Sequence, residues 1–183
     1  MENKVSFSEQ EKDLDAVWSW YEDQKLALKL YRNELIDSIN NSKPVQERFT
    51  ALTIAELREY FDESEMELEH LCAFNIISAT EALLRIDFYK KVYQKRRSEV
   101  ARAFREIHKK GNEISLERDI LDTWKSIVVE CKNDVSDLMG LMRYRHWLAH
   151  GRYWKPKLGM RYDVLVSYTI SKRIFDFIES QHD

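Results

Sequence analysis

The sequence predicts an all-α protein, an up-and-down bundle of four to six helices. Only four glycines and two prolines occur among its 183 residues, so helix breakers are rare. An all-β chain would need a turn signal about every ten residues, and such signals are missing. Apolar residues recur mostly at three- and four-residue spacing, which is typical of amphipathic helices packed in a bundle.

Three features predict the first helix: a capping box at its start, a stripe of apolar residues along it, and helix-ending residues after it. Ser8 and Glu11 have the spacing of a capping box, in which each side chain satisfies a free backbone N–H. One apolar stripe follows and stops at Asn40, Asn41 and Pro44, which end the helix.

A second helical region starts at Thr53, with Glu56 as its capping partner. No glycine or proline follows before Gly111, and this stretch is too long for one ordinary helix. We therefore expect a break near residues 62–64 or 97–98. The middle of the region, LCAFNIISATEALLRIDF, is apolar nearly all round and is predicted to be the central buried helix.

Three further helices complete the predicted bundle. They are expected at residues 115–130, 135–149 and 163–180, after a turn at residues 111–112 and with a loop carrying Gly151, Pro156 and Gly159 before the last. We expect one domain over residues 1–183. Residues 51–183 would form the core bundle, and residues 1–50 a helical extension.

The cysteines and the N-terminus indicate a soluble, cytoplasmic protein. Cys72 and Cys131 are isolated, and two buried thiols in a reducing compartment are favoured over a disulfide or a metal site. The N-terminus is charged and lacks the apolar stretch of a signal peptide. No run approaches the ~18 apolar residues of a membrane span, and no cofactor is expected.

Charge is strongly partitioned although the net charge is only -3. Residues 54–70 hold seven acids and one base, residues 90–110 hold nine bases and two acids, and residues 143–161 hold six bases and no acid. Two basic segments in an acidic protein create a local field that attracts a polyanion. For residues 90–110, a solvated helix face remains an equal alternative.

The segment RYRHWLAHGRYW, which begins at Arg143, contains two histidines four residues apart. His146 and His150 would share a helix face, as zinc ligands often do. However, Trp147 stands where the H-E-x-x-H motif needs its glutamate, and no nearby cysteine or acid completes a ligand set. A cationic field also repels a divalent cation, so a metal site is disfavoured.

Arginine and histidine together suffice to cleave RNA without a metal. A histidine such as His150 takes the proton from a ribose 2′-OH, that oxygen attacks the adjacent phosphorus, and Arg145 stabilises the phosphorane. The products would carry a 2′,3′-cyclic phosphate and a 5′-OH, and DNA could not react. Five positions correspond to about 140° around a helix, so the two residues do not share a face. Either the loop at Gly151 swings the imidazole over, or a second copy supplies the missing group.

Arg145-His146-Trp-Leu-Ala-His150 resembles the R-x-x-x-x-H signature of HEPN domains (higher eukaryotes and prokaryotes nucleotide-binding). In that family the residue after the arginine is commonly Asn, Asp or His, and His146 fits. The resemblance implies an all-α bundle and a metal-independent endoribonuclease whose active site forms at a homodimer interface. Many such proteins are toxins of toxin–antitoxin or phage-defence systems, which implies an antitoxin or another regulatory protein as a partner.

The resemblance also implies a polar residue that faces the signature from an earlier helix. Glu81 is the best candidate, followed by Ser78 and then Asn75. A carboxylate in an apolar helix is costly when unpaired, so Glu81 is expected to bind an arginine or histidine. An internal pair with Arg85 is an equal alternative.

Residues after the signature are candidates for binding RNA on either side of the cut. Phosphates would be bound by Arg152, Lys155, Lys157 and Arg161, and bases would stack on Tyr153 and Trp154. For Trp147, core packing is favoured over base stacking. In toxins silenced by a nucleotidyltransferase, a tyrosine two residues after the histidine receives AMP. Arg152 stands at that position and Tyr153 comes one later, which argues against this control.

A second function class is a non-catalytic HEPN-like scaffold that uses its basic face to bind RNA or a protein. A scaffold has no need of Arg145 together with His150, and the chain has both. Their presence favours the ribonuclease.

Overall fold

The computed structural model describes residues 5–7, 13–94 and 96–181. Within them it has six α-helices and no strand, which confirms the all-α prediction. The helices are α1 (Leu14–Asn40), α2 (Ile54–Tyr93), α3 (Glu99–His108), α4 (Asp122–Ile127), α5 (Lys132–Ala149) and α6 (Val164–Ser180). A π-helical turn, Leu116–Leu121, runs into α4, and 3-10 turns lie at Glu47–Phe49, Gly111–Glu113 and Val129–Cys131. None of these described helices is long and apolar enough to cross a bilayer.

Helix α1 ends where the sequence predicts. Its C-cap is Asn41, whose side-chain amide donates a hydrogen bond of 2.7 Å to the carbonyl of Asp37. The capping box expected at Ser8 and Glu11 lies outside the described residues. In the described part the helix begins after Asp13, whose carboxylate accepts a backbone N–H of the first turn.

Helix α2 runs unbroken for 40 residues. Thr53 and Glu56 form the predicted capping box, with Thr53 N–H donating to the Glu56 carboxylate at 2.8 Å. The break expected near residues 62–64 is wrong, because that stretch contains no helix breaker and Phe61 stays buried in the core. The other expected break, near residues 97–98, is confirmed and separates α2 from α3.

Helix α2 is the centre of the bundle, as predicted. Its C-terminal half packs with α3, α4, α5 and α6 in the largest core cluster, which includes Phe88 and Trp124. Its N-terminal half packs along α1 through two smaller clusters, around Ile76 and Phe49. Burial of a side chain such as Phe88 stabilises the fold by about 1.5–3 kcal/mol.

The helices after α3 lie where the sequence predicts them, except that one of them ends earlier than predicted. Ser115 caps the next helical stretch as expected, but the helix predicted over residues 115–130 ends at Ile127. Val128 has an extended backbone within a run of three β-branched residues, which favour extended conformations. Helix α5 begins slightly earlier than predicted and ends where predicted, and Asp163 caps α6.

Cys72 and Cys131 are both free and fully buried, as the sequence predicts. Burial raises the pKa of each thiol to about 11, so neither provides a reactive thiolate near neutral pH.

The end of α5 lies beside the middle of α2, and the two helices are antiparallel. Arg145 of α5 pairs with Glu81 of α2 at 3.4 Å. Arg152, just after α5, pairs with Glu67, which comes earlier in α2, at 2.6 Å. These two ion pairs bring the predicted signature against the central helix.

Candidate functional site at the end of helix α5

The chain reverses direction sharply after α5. His150 caps the helix and donates its backbone N–H to the carbonyl of His146 at 3.1 Å. Gly151 and Arg152 then both have positive φ values, of 77° and 57°. The glycine adopts this conformation freely, whereas a residue with a Cβ is strained by about 1–2 kcal/mol. The N–H of Arg152 returns to the carbonyl of Trp147 at 3.3 Å, so the loop folds back along the helix.

Trp147 ties this loop to the core. Its indole Nε1 donates a 2.8 Å hydrogen bond to the carbonyl of Trp154. Its ring stacks on Tyr144 and meets the ring of His70 edge-on, with centroid distances of 5.9 and 5.8 Å. Burial raises the pKa of Tyr144 to about 12, so its phenol stays protonated. Trp147 therefore has the packing role that the sequence favoured for it.

A cluster of four rings lies at this loop, in which His146, His150 and Tyr153 are exposed and Trp154 is half-buried. The rings of His146 and His150 lie 4.2 Å apart between centroids, and both residues are exposed. Trp154 lies 6.0 Å from His146 and packs edge-on against Tyr153, which is 84% exposed. The cluster thus places two exposed imidazoles beside an exposed phenol ring.

Arg145 points away from that cluster, toward α2. Its Nη2 lies 3.4 Å from Glu81, and its guanidinium sits 5.6 Å from the ring centroid of Phe74. Arg85 also donates two 3.1 Å hydrogen bonds to Glu81. Both pairings considered for Glu81 therefore occur together. The buried Nε of Arg145 has no hydrogen-bond partner among the residues described.

Arg145 and His150, the central pair of the predicted site, do not meet in one chain. Within the described residues no hydrogen bond, ion pair or ring contact joins them. The reversal at Gly151 does not turn the imidazole toward the arginine, because the ring of His150 packs against the ring of His146 at an interplanar angle of 51° instead. The predicted pair of Arg145 and His150 is therefore not formed within one chain.

The four predicted phosphate ligands fall into two groups. Arg152 is bound by both carboxylate oxygens of Glu67, at 2.6 and 2.9 Å, and lies 2.6 Å from Nδ1 of His70. The other three basic residues are exposed and form no ion pair with any residue that the structure describes; they are Lys155, Lys157 and Arg161. Of the four predicted ligands, these three therefore present a charge that no described ion pair compensates.

A small, mostly apolar groove of about 230 Å³ separates the end of α5 from α2. Its apolar residue Leu71 is 59% exposed. Phe74 belongs to the groove and also touches Arg145, so the groove adjoins the candidate site. The groove is lined by Glu67, His70, Leu71, Phe74, Leu148, Ala149 and Arg152.

Of the three polar candidates on α2, the structure brings Glu81 to Arg145. Ser78 is half-buried and forms no hydrogen bond with Arg145 among the described contacts. Asn75 faces α1, where it lines a separate hollow with Trp20. In the part of the chain that the structure describes, no group of three or more His, Cys, Asp or Glu residues could hold a metal ion.

Sequence reasoning missed Glu67, His70 and Phe74, which all contact the signature segment from α2. Glu67 and His70 lie 85 and 82 residues from their partner Arg152, Phe74 is also far along the chain from Arg145, and no local spacing marks the three. The only signal was that the acidic stretch 54–70 and the basic stretch 143–161 have opposite charges.

Comparison with known proteins assigns no family to this chain. No family model matches it, and neither a curated protein nor a solved structure does. Its function is therefore inferred from the residues at the end of α5 and the contacts that position them.

Proposed function

We propose that this chain is a metal-independent endoribonuclease of the HEPN R-x-x-x-x-H type, which cleaves single-stranded RNA. The observation that carries the proposal is the exposed pair of imidazoles, His146 and His150, on a segment of six bases and no acid. Imidazole exchanges protons near neutral pH, and the surrounding charge attracts a polyanion. The imidazoles and the basic segment at this helix end therefore support the proposal.

The reaction follows from these groups. His150, as general base, accepts the proton of a ribose 2′-OH, and the oxygen attacks the adjacent phosphorus. The bond to the 5′-oxygen breaks, and that oxygen takes a proton from an imidazolium. Arg145 stabilises the extra negative charge of the phosphorane. The products carry a 2′,3′-cyclic phosphate and a 5′-OH.

A homodimer with composite sites fits this chemistry better than a single chain. The base and the acid act from opposite sides of the phosphorus, each through a hydrogen bond of about 3 Å. Two rings in contact, as His146 and His150 are, cannot flank the reacting group in that way. Arg145 also lies away from both histidines in the same chain.

The apolar groove beside Arg145 supports this assembly. Leu71 is largely exposed there, and an isologous contact over the groove would bury it in both protomers. Such a contact would also bring the Arg145 side of each protomer close to the neighbouring chain. We propose that each site combines Arg145 of one protomer with His150 of the other.

RNA on either side of the cut would be held by the loop after α5. Lys155, Lys157 and Arg161 are exposed and would bind phosphates, while the exposed ring of Tyr153 and the half-buried ring of Trp154 would stack on bases. Stacking of one base contributes roughly 1–3 kcal/mol. The resemblance to HEPN toxins makes a cytoplasmic toxin or phage-defence role, with an antitoxin or regulatory partner, part of the same proposal.

The test is cleavage of a mixed-sequence single-stranded RNA in excess EDTA, beside the same sequence as DNA. The proposal predicts that RNA is cut and that DNA, which lacks the 2′-OH, is not. Cleavage that stops in EDTA and returns with a divalent cation would refute the metal-independent mechanism.

A non-catalytic RNA- or protein-binding scaffold is the second candidate. One observation favours it: Glu81 already pairs with Arg145, which lowers the positive charge available to a phosphorane. A scaffold would bind RNA through the loop and leave it intact. RNA binding without cleavage, over a broad panel of RNAs, would select this function.

A further inference from the structure

Arg152 is held in a conformation that its residue type disfavours. Its φ of 57° lies in the left-handed region, where a side chain beyond glycine is strained. Glu67 binds its guanidinium through two hydrogen bonds of 2.6 and 2.9 Å, a geometry matched to an arginine fork. A strained residue persists where its surroundings fix it, and here Glu67 does so.

His70 adds a third contact to the same guanidinium. Nη1 of Arg152 lies 2.6 Å from Nδ1 of His70. Guanidinium nitrogens only donate, so Nδ1 must accept and therefore carries no proton. The ring of His70 also meets Trp147, which holds the loop through the carbonyl of Trp154. Glu67, His70 and Trp147 thus fix both ends of the four-residue turn 151–154.

We infer that Arg152 is a positioning residue, which Glu67 and His70 hold so that the turn 151–154 sets the imidazole of His150. This inference rests on the proposed ribonuclease function, and it replaces the phosphate-binding role that the sequence predicts for Arg152. The turn begins directly after His150, so a released turn would leave that imidazole without a fixed orientation. Precise placement of a general base contributes strongly to turnover.

The two roles of Arg152 give opposite expectations for Glu67→Gln. If Arg152 binds phosphate, loss of the neighbouring carboxylate frees the guanidinium, and RNA binds more tightly. If Arg152 positions the turn, kcat falls roughly tenfold or more while KM changes little, because a misplaced base slows only the chemical step. Glu63→Gln is the matched control, since Glu63 is exposed one turn earlier on α2.

A readout independent of catalysis is limited trypsin digestion of the full chain at Arg152, Lys157 and Arg161. We expect Glu67→Gln to raise the cleavage rate in this loop roughly three- to tenfold, since it loses charged hydrogen bonds at a half-exposed site. Glu63→Gln should digest at the wild-type rate. Equal melting temperatures of the two variants would show that the fold is intact.

The outcomes separate this inference from the proposed function. Faster digestion of Glu67→Gln, with a lower kcat, supports the positioning role. Unchanged digestion, or tighter RNA binding with an unchanged kcat, overturns it. If even the wild type cleaves no RNA, the proposed function fails. The positioning role of Arg152 is then tested by the imidazole NMR signal of His150. A signal that moves in Glu67→Gln but not in Glu63→Gln supports the positioning role, and an unmoved signal overturns it.

Discussion

Arg145 and His150 are five positions apart at the end of one helix and face different neighbours. Arg145 lies over Phe74 and pairs with Glu81 at 3.4 Å, while the tilted rings of His150 and His146 pack with their centroids 4.2 Å apart. A helix separates positions i and i+5 by about 140°, and the turn after His150 does not remove that separation. The proposed catalytic pair therefore needs a second copy of the chain.

Composite sites predict that two inactive variants restore activity when mixed. Arg145→Ala and His150→Ala should each be inactive alone. A mixed dimer keeps one site with neither change, and random pairing makes about half of the dimers mixed. We expect about a quarter of the wild-type cleavage rate after the variants are co-refolded.

The control for this experiment is each variant mixed with itself under the same conditions. Persistent inactivity of the mixed sample, with mixed dimers detected by differential tags, would place Arg145 and His150 of each site in the same chain.

The apolar groove predicts how the dimer can be broken. Leu71→Asp places a charge in the groove, and we expect a monomer with cleavage reduced at least tenfold, because burial of a charge at an interface is costly. The exposure of Leu71, 59%, leaves the monomer fold intact. Sedimentation velocity measures the change, and Met66→Asp is the control, since Met66 is 50% exposed on the same helix but outside the groove. A dimer that survives Leu71→Asp would exclude this face.

The pH dependence of the turn follows from His70. Burial, and then the charge of Arg152, lower the pKa of His70 below 6.5. The folded state therefore favours the neutral ring of His70. The stability that this ring gives to the turn is complete above the unfolded pKa of about 6.5 and declines as the pH falls below it. The rate of trypsin digestion in the loop, divided by the rate at which trypsin cuts an unstructured control peptide at the same pH, should rise from pH 7.5 to pH 5.5. The charged groups acting on His70 are Arg152 of the loop and Glu67 and Glu69 of α2, with Lys25 of α1 bound to Glu69.

His70→Asn separates this effect from the titration of other groups. The asparagine oxygen can accept the Arg152 hydrogen bond but does not titrate in this range. The acceleration at low pH should therefore be smaller in the variant. An identical pH profile in the two proteins would show that His70 does not control the turn.

The effect of Gly140→Ala on the free energy of unfolding should depend on Tyr162, and its sign should change when Tyr162 is replaced by alanine. A Cβ at position 140 would lie 2.0 Å from the hydroxyl of Tyr162, whose ring stacks on Tyr144. Gly140→Ala must displace that ring, so the free energy of unfolding should fall by about 1–3 kcal/mol. In a Tyr162→Ala background the same change should stabilise by up to about 1 kcal/mol, since alanine favours the helix. Urea denaturation measures both, and equal signs in the two backgrounds would contradict the contact.

The sequence predicted most of the helices, because their caps and breakers are local signals. Thr53 with Glu56, Asn41 and Asp163 each mark a helix end that the structure contains. The expected break near residues 62–64 was wrong, because it was inferred from the length of the region alone, whereas the stretch contains no helix breaker and Phe61 packs in the core.

The part of the candidate site that lies within one segment of the chain could be predicted from the sequence. His146, His150 and the aromatic residues after them do form one cluster. The partners of Arg152 were not predictable, because Glu67 and His70 reach it only through the packing of α5 on α2. A basic residue in a basic segment indicates a phosphate ligand until its three-dimensional neighbours are known.

The central claim is that His150 acts as the base in a metal-free attack by the 2′-OH. The most direct measurement is end-group analysis of a single-stranded RNA incubated in EDTA with the wild type and with His150→Ala. The claim predicts 2′,3′-cyclic phosphate and 5′-OH ends from the wild type and at least a hundredfold slower cleavage by the variant. Equal cleavage by both proteins, or 3′-OH ends with 5′-phosphates, would contradict it.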